Sequence, residues 1–225
     1  VNGHLGIGPD GKHLPSITES VRAVGALIGL VTNCSITSAT PAGFVVHLPE
    51  RDMSRDIARA MVETRPDVAL GGGAAFFVPT LFERARPALH TALESGYTVV
   101  MEMDEFEVAS SLPLLGLFAM TDMPYELDRD PIEEPSLRRM TEKALALLAS
   151  SSGDAGFFLM VEGGRIDHHR KADCVRARTS SWPISRATRA TRCPSRGRPA
   201  IPEGHMPSSH RRSNLPSARR FQLRT

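Results

Sequence analysis

The chain has 225 residues, of which 41% are hydrophobic and 23% charged, which is ordinary for a globular protein. This length suffices for one α/β domain with a hydrophobic core. No apolar run approaches the roughly 18 residues that a membrane-spanning helix requires, and three cysteines are too few for a disulfide framework. The chain begins without a basic and apolar leader, so we expect no signal peptide in it.

Charge is distributed unevenly along the chain. Residues 1–171 contain 15 Lys and Arg against 23 Asp and Glu, whereas residues 172–225 contain 12 Arg and two acidic residues. The second segment is rich in Arg, Ser and Pro and has neither helical nor strand periodicity. The break divides an ordinary acidic domain from a basic tail.

Helical and strand patterns alternate along the acidic part. A capping box at Ser16 and Glu19 begins the first predicted helix, and apolar residues recur at helical or strand spacing after it. This alternation predicts a doubly wound, mostly parallel sheet with helices on both faces. The predicted helices are 16–26, 53–64, 80–95 and 136–150, and the predicted strands are 27–32, 67–70, 97–101, 112–119 and 157–161.

The segment SITSATPAGFVVH, residues 35–47, is predicted to end a strand in hydroxyl residues and then to break at Pro41. By itself this segment is typical of a loop rich in Ser and Thr. Arg51 follows four residues after this segment. From the residues alone, Arg51 is interpreted as a surface arginine at the start of a helix.

The segment FFLMVEGGRIDHH, residues 157–169, contains the densest group of possible metal ligands. Five apolar residues predict a strand buried on both faces, and Glu162 follows them directly. Two glycines turn the chain, and Asp167, His168 and His169 are predicted to lie in one short loop. Carboxylate and imidazole ligands at the carboxyl end of a strand favour a zinc or magnesium site. A solvated glutamate and a helix-capping Asp-His pair remain the alternative.

The same segment resembles the signature of the alkaline phosphatase family, and Ala39-Thr40-Pro41 resembles a second motif of that family. The resemblance implies the family's α/β fold and metal-dependent hydrolysis of phosphomonoesters through a phosphoserine. It also implies Zn²⁺ and Mg²⁺ as cofactors, a possible homodimer, and a periplasmic or secreted parent protein.

The resemblance assigns roles to individual residues. It implies that Thr40 and Glu162 bind magnesium, that Asp167 binds zinc, and that Arg51 and His168 contact the substrate phosphate. Two further metal candidates are Ser38, where the family has Asp or His, and His169.

The resemblance covers residues 1 to about 169 and stops there. It places the nucleophilic serine upstream of Val1 and puts Lys171 where the family has a zinc-binding histidine. We therefore expect a partial phosphatase domain over 1–169 that is inactive alone. We expect 170–225 to be a tail that is either disordered or the product of a frameshift.

Two other functions remain open. One is a non-catalytic protein whose basic tail binds nucleic acid or an acidic surface, and salt-sensitive binding to DNA would favour it. The other is a related metal-dependent phosphotransfer enzyme.

Overall fold

A five-stranded parallel sheet organises the described part of the protein. The structure is a computed structural model that describes residues 3–79 and 86–172, all within one compact unit. In this part of the chain the strand order is β3-β4-β2-β1-β5, and every adjacent pair is parallel. The strands are β1 (Leu27–Ser35), β2 (Val68–Gly72), β3 (Thr98–Val100), β4 (Leu114–Leu117) and β5 (Phe157–Glu162).

Helices connect these strands, as parallel pairing requires. Those of the described residues are α1 (Ile17–Ala23), α2 (Ala39–Val45), α3 (Ser54–Thr64), α4 (Ala74–Phe77), α5 (Ala88–Glu94), α6 (Met103–Val108), α7 (Leu137–Ser151) and α8 (Arg165–Ala172). A short 3₁₀ turn, Gly153–Ala155, precedes β5.

Helices cover both faces of the sheet. Because successive strand residues point to opposite sides, neighbouring residues of β1 pack against different helices. On β1, Leu30 packs into the cluster that contains α2, α3 and α5. Its neighbour Val31 packs into the other cluster, which contains α6 and α7. The predicted doubly wound sheet with helices on both faces is therefore confirmed.

The first helix begins where the sequence predicts, but only part of its predicted apolar face is buried. Ser16 and Glu19 form the predicted capping box. The helical spacing of Ile17, Val21, Val24 and Ile28 predicts that these side chains face the core, but Ile17 and Val24 are 53% and 71% exposed. The buried residue is instead Thr18, whose hydroxyl donates to the carbonyl of Phe44.

Other boundaries differ more. The predicted helix over 80–95 is confirmed only as Ala88–Glu94, and residues 80–85 lie outside the described part. The short helices α4 and α6 were not predicted, because four or six residues show too little periodicity to identify.

Two features of the last strand and helix correct the prediction. Strand β5 is not buried on both faces, since Phe157 and Val161 are exposed and only Met160 is buried. The reason is its position at the edge of the described sheet. Asp167, His168 and His169 lie on α8 and not in a loop.

The predicted tail over 170–225 falls almost wholly outside the described residues. The frameshift and nucleic-acid hypotheses concern this tail, so they also fall outside the described part. Within the described ranges, no helix combines the length and apolar character needed to cross a bilayer.

Candidate functional site

A polar cavity of about 480 Å³ lies where the carboxyl ends of β1 and β5 meet. In open α/β sheets this edge is where ligands bind. Six residues singled out from the sequence line this one cavity: Ser38, Thr40, Arg51, Glu162, Asp167 and His168. The structure thus brings together residues that are more than 100 positions apart in the chain.

Thr40 reaches the cavity from a helix, which corrects the predicted loop. It lies in the first turn of α2, where Pro41 is tolerated because helix-starting residues have no intrahelical partner for their N–H. Ser38 is the N-cap, and its side chain makes no capping hydrogen bond. Both hydroxyl-bearing residues therefore line the cavity from one helix start.

Glu162 is held by the neighbouring strand. The register of β1 and β5 pairs it with Thr32, whose Oγ1 donates to Oε2 of Glu162 over 2.9 Å. Thr32 is fully buried, and its Oγ1 also accepts the N–H of Cys34 at 3.1 Å. The carboxylate therefore has a fixed donor at the cavity wall.

Gly164 allows the turn after β5 to approach this wall closely. A Cβ atom there would lie 2.6 Å from Sγ of Cys34 and 3.1 Å from Cδ of Glu162. The carbonyl of Gly164 then accepts the N–H groups of Asp167 and His168 as α8 begins. The turn at Gly163 and Gly164 therefore brings the side chains of Asp167 and His168 to the cavity.

Arg51 lies on the exposed rim of the cavity, in the segment between α2 and α3. Its backbone N–H donates to the carbonyl of Gly3 over 2.8 Å, so the N-terminal segment holds this rim in place. The guanidinium provides a fork of N–H donors that suits phosphate or carboxylate oxygens.

Asp122, which was not among the site residues predicted from the sequence, connects three parts of the site. Its Oδ1 accepts the N–H of Ser35 at 2.8 Å, at the end of β1. Its Oδ2 lies 3.4 Å from NH1 of Arg165 and 3.3 Å from Nδ1 of His168, both on α8. The sequence feature that could have identified Asp122 is its position shortly after the buried strand β4. Glu162 was identified by the same feature, a carboxylate that follows an apolar strand.

Cys34 was also missed as a site residue. It is 2% exposed, and its Sγ lies 4.0 Å from Nδ1 of His168. Burial, and then the nearby carboxylates of Asp122 and Glu162, raise the pKa of this thiol to about 12. The thiol is therefore neutral in the absence of a bound cation.

His169, a predicted metal candidate, lies on α8, and its side chain is outside the described part.

The donors at this cavity suit a divalent cation. Carboxylate oxygens from Glu162 and Asp167, with the hydroxyl of Thr40, are the hard ligands that magnesium prefers. Arg51 places an anion-binding group on the same cavity. A cation and an oxyanion can therefore be bound side by side, which is the arrangement that phosphoryl chemistry uses.

Comparisons with known proteins show which family the chain resembles. The family model described as alkaline phosphatase matches residues 1–191. The repressible alkaline phosphatase of Saccharomyces cerevisiae is 35% identical over 195 residues, which cover 74% of this chain and 34% of that protein. The chain thus spans about a third of the length of this curated relative.

Solved structures show the same relationship. The alkaline phosphatase of Thermus thermophilus has a TM-score of 0.70 at 39% identity, covering 75% of this chain and 36% of that one. A variant of the TAB5 alkaline phosphatase, with Mg bound in its M3 site, has a TM-score of 0.64 at 29% identity, covering 75% and 47%. From its sequence and its fold, the chain belongs to the alkaline phosphatase family.

Proposed function

We propose that these residues form part of a metal-dependent phosphomonoester hydrolase that acts through a phosphoserine. The observation that carries the proposal is the single cavity shared by Thr40, Arg51, Glu162 and Asp167. Membership of the alkaline phosphatase family supports the same reaction class.

The proposal assigns magnesium to Thr40 and Glu162. Glu162 supplies a carboxylate oriented by Thr32, and Thr40 supplies a neutral hydroxyl from the start of α2. The TAB5 variant with Mg bound in its M3 site supports magnesium in the family. Ser38 stands beside them as a weaker oxygen ligand.

Asp167 is proposed as a zinc ligand. One carboxylate is not enough for tight binding, because zinc usually has three or four protein ligands. The remaining ligands, and the attacking serine, are proposed to come from outside the described residues, the serine from upstream of Val1. We therefore expect the 225-residue chain alone to have no phosphomonoesterase activity.

The chain's own residues would bind and orient the phosphate. Arg51 would donate two N–H groups to phosphate oxygens and so fix the direction of attack. His168, which lines the same cavity, would also contact the phosphate. Bound divalent cations would neutralise developing negative charge and activate the attacking hydroxyl.

Phosphate binding tests this proposal without requiring turnover. Inorganic phosphate would be titrated into the purified chain with Mg²⁺ present, with binding followed by calorimetry. Arg51→Ala should weaken binding by about 1.5–3 kcal/mol, the scale of a charged hydrogen bond, and Arg51→Lys should restore only part of it.

Arg138→Ala is the matched control, because its side chain is 86% exposed on α7 and does not line the cavity. Equal binding by the Arg51→Ala variant and the unaltered chain would contradict the phosphate assignment. Zinc-dependent hydrolysis of an aryl phosphate by the 225-residue chain would contradict the expected inactivity.

A further inference from the structure

Cys34, Asp122 and His168 form a second group of possible ligands, distinct from Thr40 and Glu162. One atom from each, a thiol sulfur, a carboxylate oxygen and a ring nitrogen, lies within 4.8 Å of the other two. Three elements contribute to the group: β1, the segment after β4, and α8.

The spacing is close to that of a zinc site. Nδ1 of His168 is 4.0 Å from Sγ of Cys34 and 3.3 Å from Oδ2 of Asp122. Ligands at zinc-ligand distances of about 2.0–2.3 Å in a tetrahedron lie roughly 3.5 Å from each other. Shifts of about 1 Å would therefore bring all three atoms onto one ion. All three residues line the cavity described above, which leaves room for water as a fourth ligand.

The charge around the thiol also favours a cation. Cys34 is almost completely buried, and its neighbours include the carboxylates of Asp122 and Glu162. At present the guanidinium of Arg165 provides the positive charge, with NH1 3.2 Å from Nδ1 of His168 and 3.4 Å from Oδ2 of Asp122.

Arg165 is not fully satisfied in that position. Its Nε is buried and has no hydrogen-bond partner within the described part of the chain. Its guanidinium also lies 3.9 Å from the ring centroid of Tyr125, a contact that remains available if NH1 moves away. The arginine can therefore give up the contacts of NH1 with His168 and Asp122 and keep its stacking on Tyr125 when a stronger cation enters.

We propose that Cys34, Asp122 and His168 bind one zinc-type divalent cation, with Arg165 holding the site in its metal-free state. On binding, the S–H bond of Cys34 breaks, a sulfur–metal bond forms, and the proton leaves to water. The inference goes beyond phosphate chemistry, because it requires neither the nucleophilic serine nor Arg51. His168 would bind the cation through Nδ1, which leaves its Nε2 for the phosphate contact proposed above.

Cobalt(II) is a suitable probe, since thiolate ligation gives it a near-ultraviolet charge-transfer band. The chain would carry Cys174→Ser and Cys193→Ser, so that Cys34 is the only thiol. We expect one equivalent of cobalt to bind with that band and zinc to abolish it. Cys34→Ser should remove the band.

Matched variants distinguish ligation from general damage. Asp122→Asn and His168→Gln should weaken cobalt binding about tenfold or more, whereas Asp128→Asn and His90→Gln, at exposed positions, should not change it. Arg165→Gln should tighten binding about tenfold, because the competing charge is gone.

A folded chain that binds cobalt without the charge-transfer band would overturn the proposal, since the ion would then sit on oxygen ligands alone. A band that survives Cys34→Ser would also overturn it. If Cys34→Ser does not fold, ¹¹³Cd NMR of the single-thiol chain gives the answer. A shift typical of sulfur ligation supports the site, and an oxygen-only shift rejects it.

Discussion

Thr32 and Glu162 are neighbours across β1 and β5, and the hydroxyl of Thr32 donates to the Glu162 carboxylate over 2.9 Å. The contact joins residues 130 positions apart, and it exists because parallel pairing aligns the ends of the two strands. It fixes one carboxylate of the cavity before any cation binds.

Thr32→Val should destabilise the protein by about 1–3 kcal/mol, because it leaves the Cys34 N–H without its acceptor and Glu162 without its donor. Urea unfolding measures the change. Thr64→Val, at an exposed helix position, should shift stability by less than about 0.5 kcal/mol. Equal effects at both positions would show that the Thr32 contact contributes little.

Gly72→Ala should destabilise the protein by about 1–3 kcal/mol. A Cβ atom at this position would lie 2.1 Å from the carbonyl oxygen of Thr121, a backbone atom beside Asp122. The backbone that presents Asp122 would have to move. Thermal or urea unfolding would measure the loss.

Gly43→Ala is the matched control, since a Cβ atom there would meet nothing within 4 Å on helix α2. Because alanine favours helix over glycine, this variant should gain about 0.5–1 kcal/mol. A stabilised Gly72→Ala variant would show that the close approach to Thr121 is easily relieved.

The imidazole of His47 faces a hydrogen-bond acceptor at each nitrogen. Nδ1 lies 2.8 Å from the carbonyl of Gly6, and Nε2 lies 2.9 Å from the carboxylate of Glu19. Burial acts to lower the pKa of His47, but these two acceptors outweigh it, and the pKa is raised. The ring of His13 stacks on it, with the centroids 4.7 Å apart.

Stability should therefore depend on pH through His47. A raised folded-state pKa means that the stabilisation is complete below the ordinary value of about 6.5 and is lost as pH rises through the folded value. Urea midpoints measured from pH 5.5 to 8.5 should fall with pH, and His47→Gln should flatten that slope. His90→Gln, at a 64% exposed side chain, should leave the slope unchanged.

In acid, Glu19 makes the stability of the protein fall as pH decreases, which is the opposite of the trend caused by His47. The N–H of Ser16, and then His47, lower its pKa below 4.5, so its contribution is present above that value and is lost as pH falls further. If the urea midpoints of His47→Gln fall between pH 5.5 and 8.5 as steeply as those of the unaltered chain, a group other than His47 causes the pH dependence.

Phe157→Lys should reduce aggregation of the isolated chain. Phe157 lies on the edge strand β5, which within the described residues pairs only with β1, and it is 37% exposed. Exposed apolar edge strands promote association, and a lysine there opposes it. Light scattering during refolding would measure the effect.

Leu93→Lys is the control, because Leu93 is 52% exposed but lies on helix α5 and not on a strand edge. A similar decrease in aggregation by both variants would attribute the association to general hydrophobicity and not to the β5 edge.

Local sequence determined much of the fold. The capping residue Ser16, the apolar strand runs and the periodic helix over 137–151 depend on neighbours in the chain, so their patterns can be read directly. Parallel α/β architecture follows from their alternation. The association of Thr40, Arg51, Glu162 and Asp167 came from a resemblance to a family, and the shared cavity agrees with it.

Only the tertiary structure decided which distant groups meet. The exposure of β5 depends on its place at the edge of the sheet that the described residues form, which its own apolar residues do not encode. The contacts of Asp122 with Ser35, Arg165 and His168 join three separate segments. Strand order and register set such distances, and no periodicity within a single segment records them.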